Sequence, residues 1–160
     1  MYQARLFATR HSRGYGRFYN FVEPAILWAL GGLSRLSGRR LDGLITWLEK
    51  GAKGILFDCK MCGNCVLSST GMTCPMNCPK TIRNGPCGGV RENGNCEVDP
   101  DMKCVWVEAW DGASRMQDSS RINNVQFAVD NSHQGSSAWL RLARSKHSEK
   151  LNGIGVEVKH

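Results

Sequence analysis

Apolar residues in the first third of the chain recur at helical spacing. Val22, Ile26, Ala29, Leu30 and Leu33 fall on one face, the pattern of an amphipathic helix. Pro24 is acceptable in its first turn, and Gly31-Gly32 weakens its far end. A second stripe, Leu41, Leu44, Ile45 and Leu48 with Trp47 on its edge, opens after the Ser37-Gly38 break and closes near Gly51 to Gly54. Both stripes predict core or partner-docking faces, and the arginines with Trp28 and Trp47 also suit contact with a membrane surface. From Phe57 to Cys104 the periodicity stops, and Gly, Pro and Asn punctuation predicts loops and short turns. Val105-Trp106-Val107 then reads as a short strand or buried turn. Residues 137–148, with Trp139, Leu140, Leu142 and Ala143, read as a brief helix. Between them, residues 111–135 are polar and poorly patterned, which predicts an extended arm that orders against a partner.

This pattern divides the chain into a basic N-terminal arm (1–20), an amphipathic helical segment (21–54), a cysteine-rich segment (55–115) and a C-terminal extension (116–160) that could bind a partner. The fold class expected is α plus irregular: a small, loop-rich domain organised by a metal cluster and preceded by two amphipathic helices. No internal repeat is evident.

Composition changes the picture at one place. The 160 residues are 41% hydrophobic and 22% charged, ordinary for a globular domain. All eight cysteines, however, lie between Cys59 and Cys104, among glycines. Such a segment has little apolar surface to bury, so disulfides or thiolate–metal bonds should order it. The chain shows no secretory signal, and its longest apolar run, Ala25 to Leu30, is too short to span a bilayer. A cytoplasmic setting with metal-bound thiolates is therefore expected.

Spacing narrows the metal. Cys59-x-x-Cys62-x-x-Cys65 lets three thiolates converge on one face of a cubane, as ferredoxin loops do. Zinc sites more often use two separated Cys-x-x-Cys knuckles. Position 69, where a ferredoxin run would continue, is Ser69. A fourth ligand must come from Cys74, Cys78, Cys87, Cys96 or Cys104, and the remainder could hold a second metal. The cofactor expected is one or two [4Fe-4S] clusters, with zinc as the alternative. Lys80 and Arg83 could offset an anionic cluster or meet an acidic cofactor. His11, His133, His147 and His160 lie outside the cysteine window and are not candidate ligands. No nucleophile–base pair, phosphate-binding loop or dinucleotide fingerprint is present, and Gly14-x-Gly16 lacks its third glycine.

Charge is uneven. Residues 1–40 carry seven arginines against Glu23 alone, nearly the whole net charge of +7. This arm could meet nucleic acid, anionic lipid or an acidic partner, and its first 22 residues also fit the composition of an organellar transit peptide. It carries no recognised nucleic-acid motif.

The strings Leu56-Phe57-Asp58-Cys59, Cys62-Gly63-x-Cys65-x-Leu67, Cys74-Pro75, Cys78-Pro79-Lys80-x-x-Arg83-Asn84-Gly85-Pro86-Cys87-Gly88-Gly89, Asn93-Gly94-x-Cys96-Glu97-Val98 and Lys103-Cys104-Val105-Trp106-Val107 carry a resemblance. Over about residues 20–115 the sequence resembles the cysteine-rich domain at the C-terminus of, or encoded beside, some bacterial methylenetetrahydrofolate reductases, the MetV-like subunit. The resemblance implies a non-catalytic iron-sulfur subunit that passes electrons from a donor protein to a MetF-like flavin reductase. The chain is too short for that enzyme's barrel. FMN or FAD and the folate would therefore sit on the partner. An alternative is a structural zinc module that stabilises or docks the reductase. The resemblance says nothing about residues 116–160.

Overall fold

The computed structural model describes residues 2–37 and 41–152, with side chains for 2–33 and 41–146. Gly38 of the expected break, and His160, lie outside the described residues, as does the side chain of His147. The described residues form five α-helices: α1 (Tyr2–Arg10), α2 (Ser12–Ser37), α3 (Asp42–Phe57), α4 (Val105–Arg115) and α5 (Ala138–Asn152). Three 3-10 turns, at Pro75–Asn77, Ser119–Asn123 and Asn131–His133, punctuate the loops. Among the described residues there is no β-strand, only the isolated bridges Val90 to Cys96 and Asn95 to Lys103.

The N-terminal segment read as an arm is helical. Helix α1 packs against α3 and α4, with Ala8 and Thr9 fully buried. Thr9 Oγ1 lies 2.8 Å from Thr73 Oγ1, and Ser12 donates to the Gly112 carbonyl at 2.7 Å. Because helix begins again at Ser12, Pro24 falls inside α2 and not in its first turn.

Both amphipathic stripes, read as core or partner-docking faces, are only partly buried. On α2, Leu30 is buried and packs with Ile26, Leu27, Ile45, Trp139, Leu140 and Ala143, while Ala29 and Leu33 face solvent. Helix α3 continues through Gly51 and Gly54 to Phe57. Its buried residues are Glu49, Lys53 and Phe57, whereas Leu44, Trp47 and Leu48 are exposed. An apolar stripe is a statement about sequence alone, and here tertiary packing buries a neighbouring stripe that carries two opposite charges.

Val105-Trp106-Val107 is neither strand nor isolated turn but the opening of α4. Val105, Trp106, Ala109 and Ala113 form its buried side, a helical period hidden by the smallness of the two alanines. Gly112 is part of the reason. Its backbone meets that of Gly71, so that a Cβ at Gly71 would stand 2.3 Å from Ala113 N, and one at Gly112 the same distance from Gly71 O. Of residues 111–135, expected as an extended arm, the first five complete α4 and the rest run as loops and two 3-10 turns, of which the one at Ser119–Asn123 packs on α4. Helix α5 matches the expectation for residues 137–148.

The cysteine segment is not without a core. Leu67, Met72 and Cys74 are buried together with Ala8 and Phe57, and Tyr15, Tyr19, Leu56, Met76 and Met116 pack around them. Farther along, Cys104, Trp106 and Ala109 form a separate cluster with Val90 and Ile122. Apolar contacts thus join this segment to α1, α3 and α4.

Candidate metal centre

The end of α3 launches the three-thiol loop. Asp58 adopts a left-handed conformation (φ 50°), and the amides of Asp58 and Cys59 reach back to the Gly54 and Lys53 carbonyls at 3.1 and 3.3 Å. This closure satisfies the last carbonyls of the helix and reverses the chain. Two further left-handed residues, Met61 (φ 49°) and Gly63 (φ 72°), keep it turning. Left-handed backbone at non-glycine residues is unfavourable and persists where the surroundings hold it in place.

Those surroundings come from distant parts of the chain. Gln134 donates to the Lys60 carbonyl at 2.9 Å, Gly135 N to the Met61 carbonyl at 2.8 Å, and Arg141 to the Gly63 carbonyl at 2.7 Å and to Asn64 Oδ1 at 2.8 Å. Arg83 reaches the Asn64 carbonyl at 3.2 Å. From the other side, Asn77 donates to the Phe57 carbonyl at 3.0 Å. A Cβ at Gly63 would lie 2.6 Å from the His133 carbonyl oxygen, so the brace is tight.

Cys59, Cys62, Cys65 and Cys74 all line one small cleft. Of the five candidates for the fourth place, Cys74 is the one brought to the loop, and its neighbour Pro75 forms part of the same wall. Cys62 and Cys74 are buried, Cys59 is half-buried and Cys65 is exposed. Cys74 donates a hydrogen bond to Cys59, which, with help from the Met61 amide, holds the Cys59 thiol down to about 6. That same bond, together with burial, pushes Cys74 well up. The Met61 amide lies 3.4 Å from Cys59 Sγ.

Two cations complete the wall. Arg83 is 8% exposed, with Nη1 4.0 Å from Cys62 Sγ. Its Nε is buried and finds no acceptor among the described residues. Lys53 pairs with Glu49 at 2.5 Å. Burial works against its charge, but Cys65 and Glu49 outweigh burial and raise its pKa. Sequence reading passed over this pair. Its signal was an i, i+4 spacing on α3, which normally marks a solvated helix face.

The other candidate residues lie elsewhere. Lys80 is exposed and ion-paired with Glu97, away from the cleft. Cys87 is exposed, 3.9 Å from Glu97 Oε1. Cys78 ends the turn at Pro75–Asn77, while Cys96 and Cys104 are buried in the bridged turns of residues 90–104. All eight thiols are unpaired. Among the described residues, no three Cys, His, Asp or Glu side chains are grouped so as to hold a metal ion.

A broad groove adjoins the cleft and shares Lys53, Cys65 and Arg83 with it. Tyr15, Phe18 and Tyr19 line one part of the groove, and Val125 and Phe127 another. Asn84 holds the latter segment by a paired contact with the Gln126 amide and carbonyl at 2.7 and 2.8 Å.

The family described as methylene-tetrahydrofolate reductase C terminal matches residues 39–132. The chain belongs to this family. No curated protein and no solved structure matches it. The family match takes in all eight cysteines and Arg83, but stops short of Gln134, Gly135 and Arg141, so part of the brace around this reductase-family cysteine loop lies beyond it. No described helix is long and apolar enough to cross a membrane.

Proposed function

We propose that the chain is an accessory, electron-transfer subunit of a methylenetetrahydrofolate reductase. In this reading it relays electrons from a donor protein to the FMN or FAD of a separate MetF-like subunit, which reduces methylene-tetrahydrofolate to methyl-tetrahydrofolate. The carrying observation is that the Cys59–Cys62–Cys65 loop and Cys74 line one cleft. Four thiols and an unpartnered, buried Arg83 Nε are of the chemistry that an anionic thiolate-bound [4Fe-4S] group needs, and the thiols would draw together to hold it, since among the described residues no three of them are grouped for a metal. Such a group would supply one-electron chemistry, with a potential set by burial and by the donors and charges around sulfur.

The residues of this chain have distinct parts. Cys59, Cys62, Cys65 and Cys74 would be the ligands. Met61 N–H and Arg83 would donate towards sulfur, and Leu67 and Met76 in the cleft wall would keep water away. Cys65 is the exposed member and faces the groove, which leaves that side open to a partner. Leu44, Trp47 and Leu48 on α3, with Phe21 and Trp28 on α2, are exposed and offer an apolar surface to the reductase subunit. Cys78, Cys87, Cys96 and Cys104 remain candidates for a second metal.

Anaerobic purification of the full chain with a MetF-like protein, followed by iron, sulfide and zinc analysis, tests this. The expected result is a brown complex that contains iron and acid-labile sulfide and bleaches with dithionite. A colourless protein with stoichiometric zinc would replace the relay with a structural zinc module.

A further inference from the structure

Lys53 and Glu49 stand in the wall of the four-cysteine cleft almost wholly out of water, 4% and 1% exposed. Desolvating two charges is expensive, and apolar residues of similar volume often pack at least as stably. The contacts around the pair are not symmetrical. Glu49 gives one carboxylate oxygen to Lys53 at 2.5 Å and the other to the Ser137 hydroxyl, with the Trp139 amide 3.5 Å away. Ser137 Oγ itself accepts from Leu140 N at 3.1 Å, so its proton is directed at Glu49. These donors belong to the start of α5, whose N-terminal end also favours negative charge. The anion is thereby drawn towards α5. Lys53 spends one donor on Glu49 and lies 4.6 Å from the Trp139 ring centroid. An ammonium has three donors, and the cleft it borders contains Cys59 and Cys65.

We propose that Lys53 is the resident counter-cation of the cysteine cleft, anchored by Glu49 and the start of α5 so that its charge stabilises negative charge on the group the four thiolates hold. The inference rests on the [4Fe-4S] reading above. Lys53 is a positioning residue and not a ligand. One electron entering a thiolate-ligated cluster makes it more negative. A fixed cation that is itself held out of water beside the cleft favours that reduced form.

The test is the midpoint potential of the full chain, purified anaerobically, for wild type, Lys53→Met, Lys53→Arg and Glu49→Gln, with iron, sulfide and melting temperature measured on each. Lys53→Met should keep wild-type iron and sulfide and lower the reduction equilibrium about tenfold, a shift of about 59 mV to the negative for one electron. Lys53→Arg should restore the potential. Glu49→Gln, which leaves the cation less neutralised, should shift it to the positive. A purely packing role would lower the melting temperature of both Met and Gln variants without opposite shifts in potential.

Unchanged potentials, or shifts of one sign, in variants that keep their iron overturn the role of Lys53 and leave the cluster reading standing. A wild-type protein without iron and sulfide overturns both. Should Lys53→Met fail to fold, Glu49→Gln decides: a positive shift supports the proposal, and no shift overturns it.

Discussion

The eight cysteines form two groups that spacing alone does not separate. Cys59, Cys62, Cys65 and Cys74 line a cleft whose wall is built from α3, a braced loop and the start of α5. Cys78, Cys87, Cys96 and Cys104 are spread over turns held by two isolated bridges and a small cluster around Trp106. The first group is over-determined. Its loop carbonyls are tied by Gln134, Gly135, Arg141 and Arg83, and its backbone keeps left-handed residues that need such support. In the second, Cys87 is exposed and donates to Glu97, which is itself exposed and ion-paired with Lys80. Identical side chains gather in one cleft only where the backbone around them is held.

Glycine replacement breaks the comparison most directly. Gly71 is left-handed (φ 59°) and faces the backbone of α4, 2.3 Å from a built Cβ. Gly71→Ala should destabilise the protein by about 3 kcal/mol or more. Gly94, in the second region, is also left-handed (φ 79°), but the nearest atom to a built Cβ is the end of the Lys103 side chain at 3.6 Å. Gly94→Ala should cost about 1 kcal/mol, from backbone strain alone. Urea unfolding measures both, and equal losses would erase the distinction between the two regions.

Serine substitution sharpens it chemically. On the proposed reading, Cys74→Ser should lose most of its bound iron in anaerobic preparations, while Cys87→Ser keeps it. The reverse order would move the centre to the other group.

The smallest effect is a pH shift. In metal-free protein the bond from Cys74 stabilises the Cys59 thiolate, so Cys59 alkylation should rise as pH climbs through about 6. Removing that donor with Cys74→Ala should move the midpoint upward, towards the ordinary thiol value of 9.0, and slow the reaction at neutral pH. Iodoacetamide labelling with peptide mapping checks this, and an unmoved midpoint would exclude the Cys59–Cys74 contact.

By itself the sequence determined the α-plus-irregular, loop-rich class, the three-thiol loop and the family, because Cys-x-x-Cys-x-x-Cys and the string through Gly88-Gly89 are local patterns. The helix at the C-terminal end was legible for the same reason, through Trp139, Leu140 and Ala143. Only tertiary structure decided which stripe of α3 is buried, that Cys74 joins the loop, and that Lys53 and Glu49 stand beside it. Leu44 and Leu48 read equally as core or as a docking face because hydrophobicity is scored residue by residue. Burial depends on what lies opposite, and opposite Glu49 lie Ser137 and the start of α5, 88 residues away in the chain. No local pattern encodes that meeting, since the desolvation of a charge is offset only by partners brought together by the completed fold.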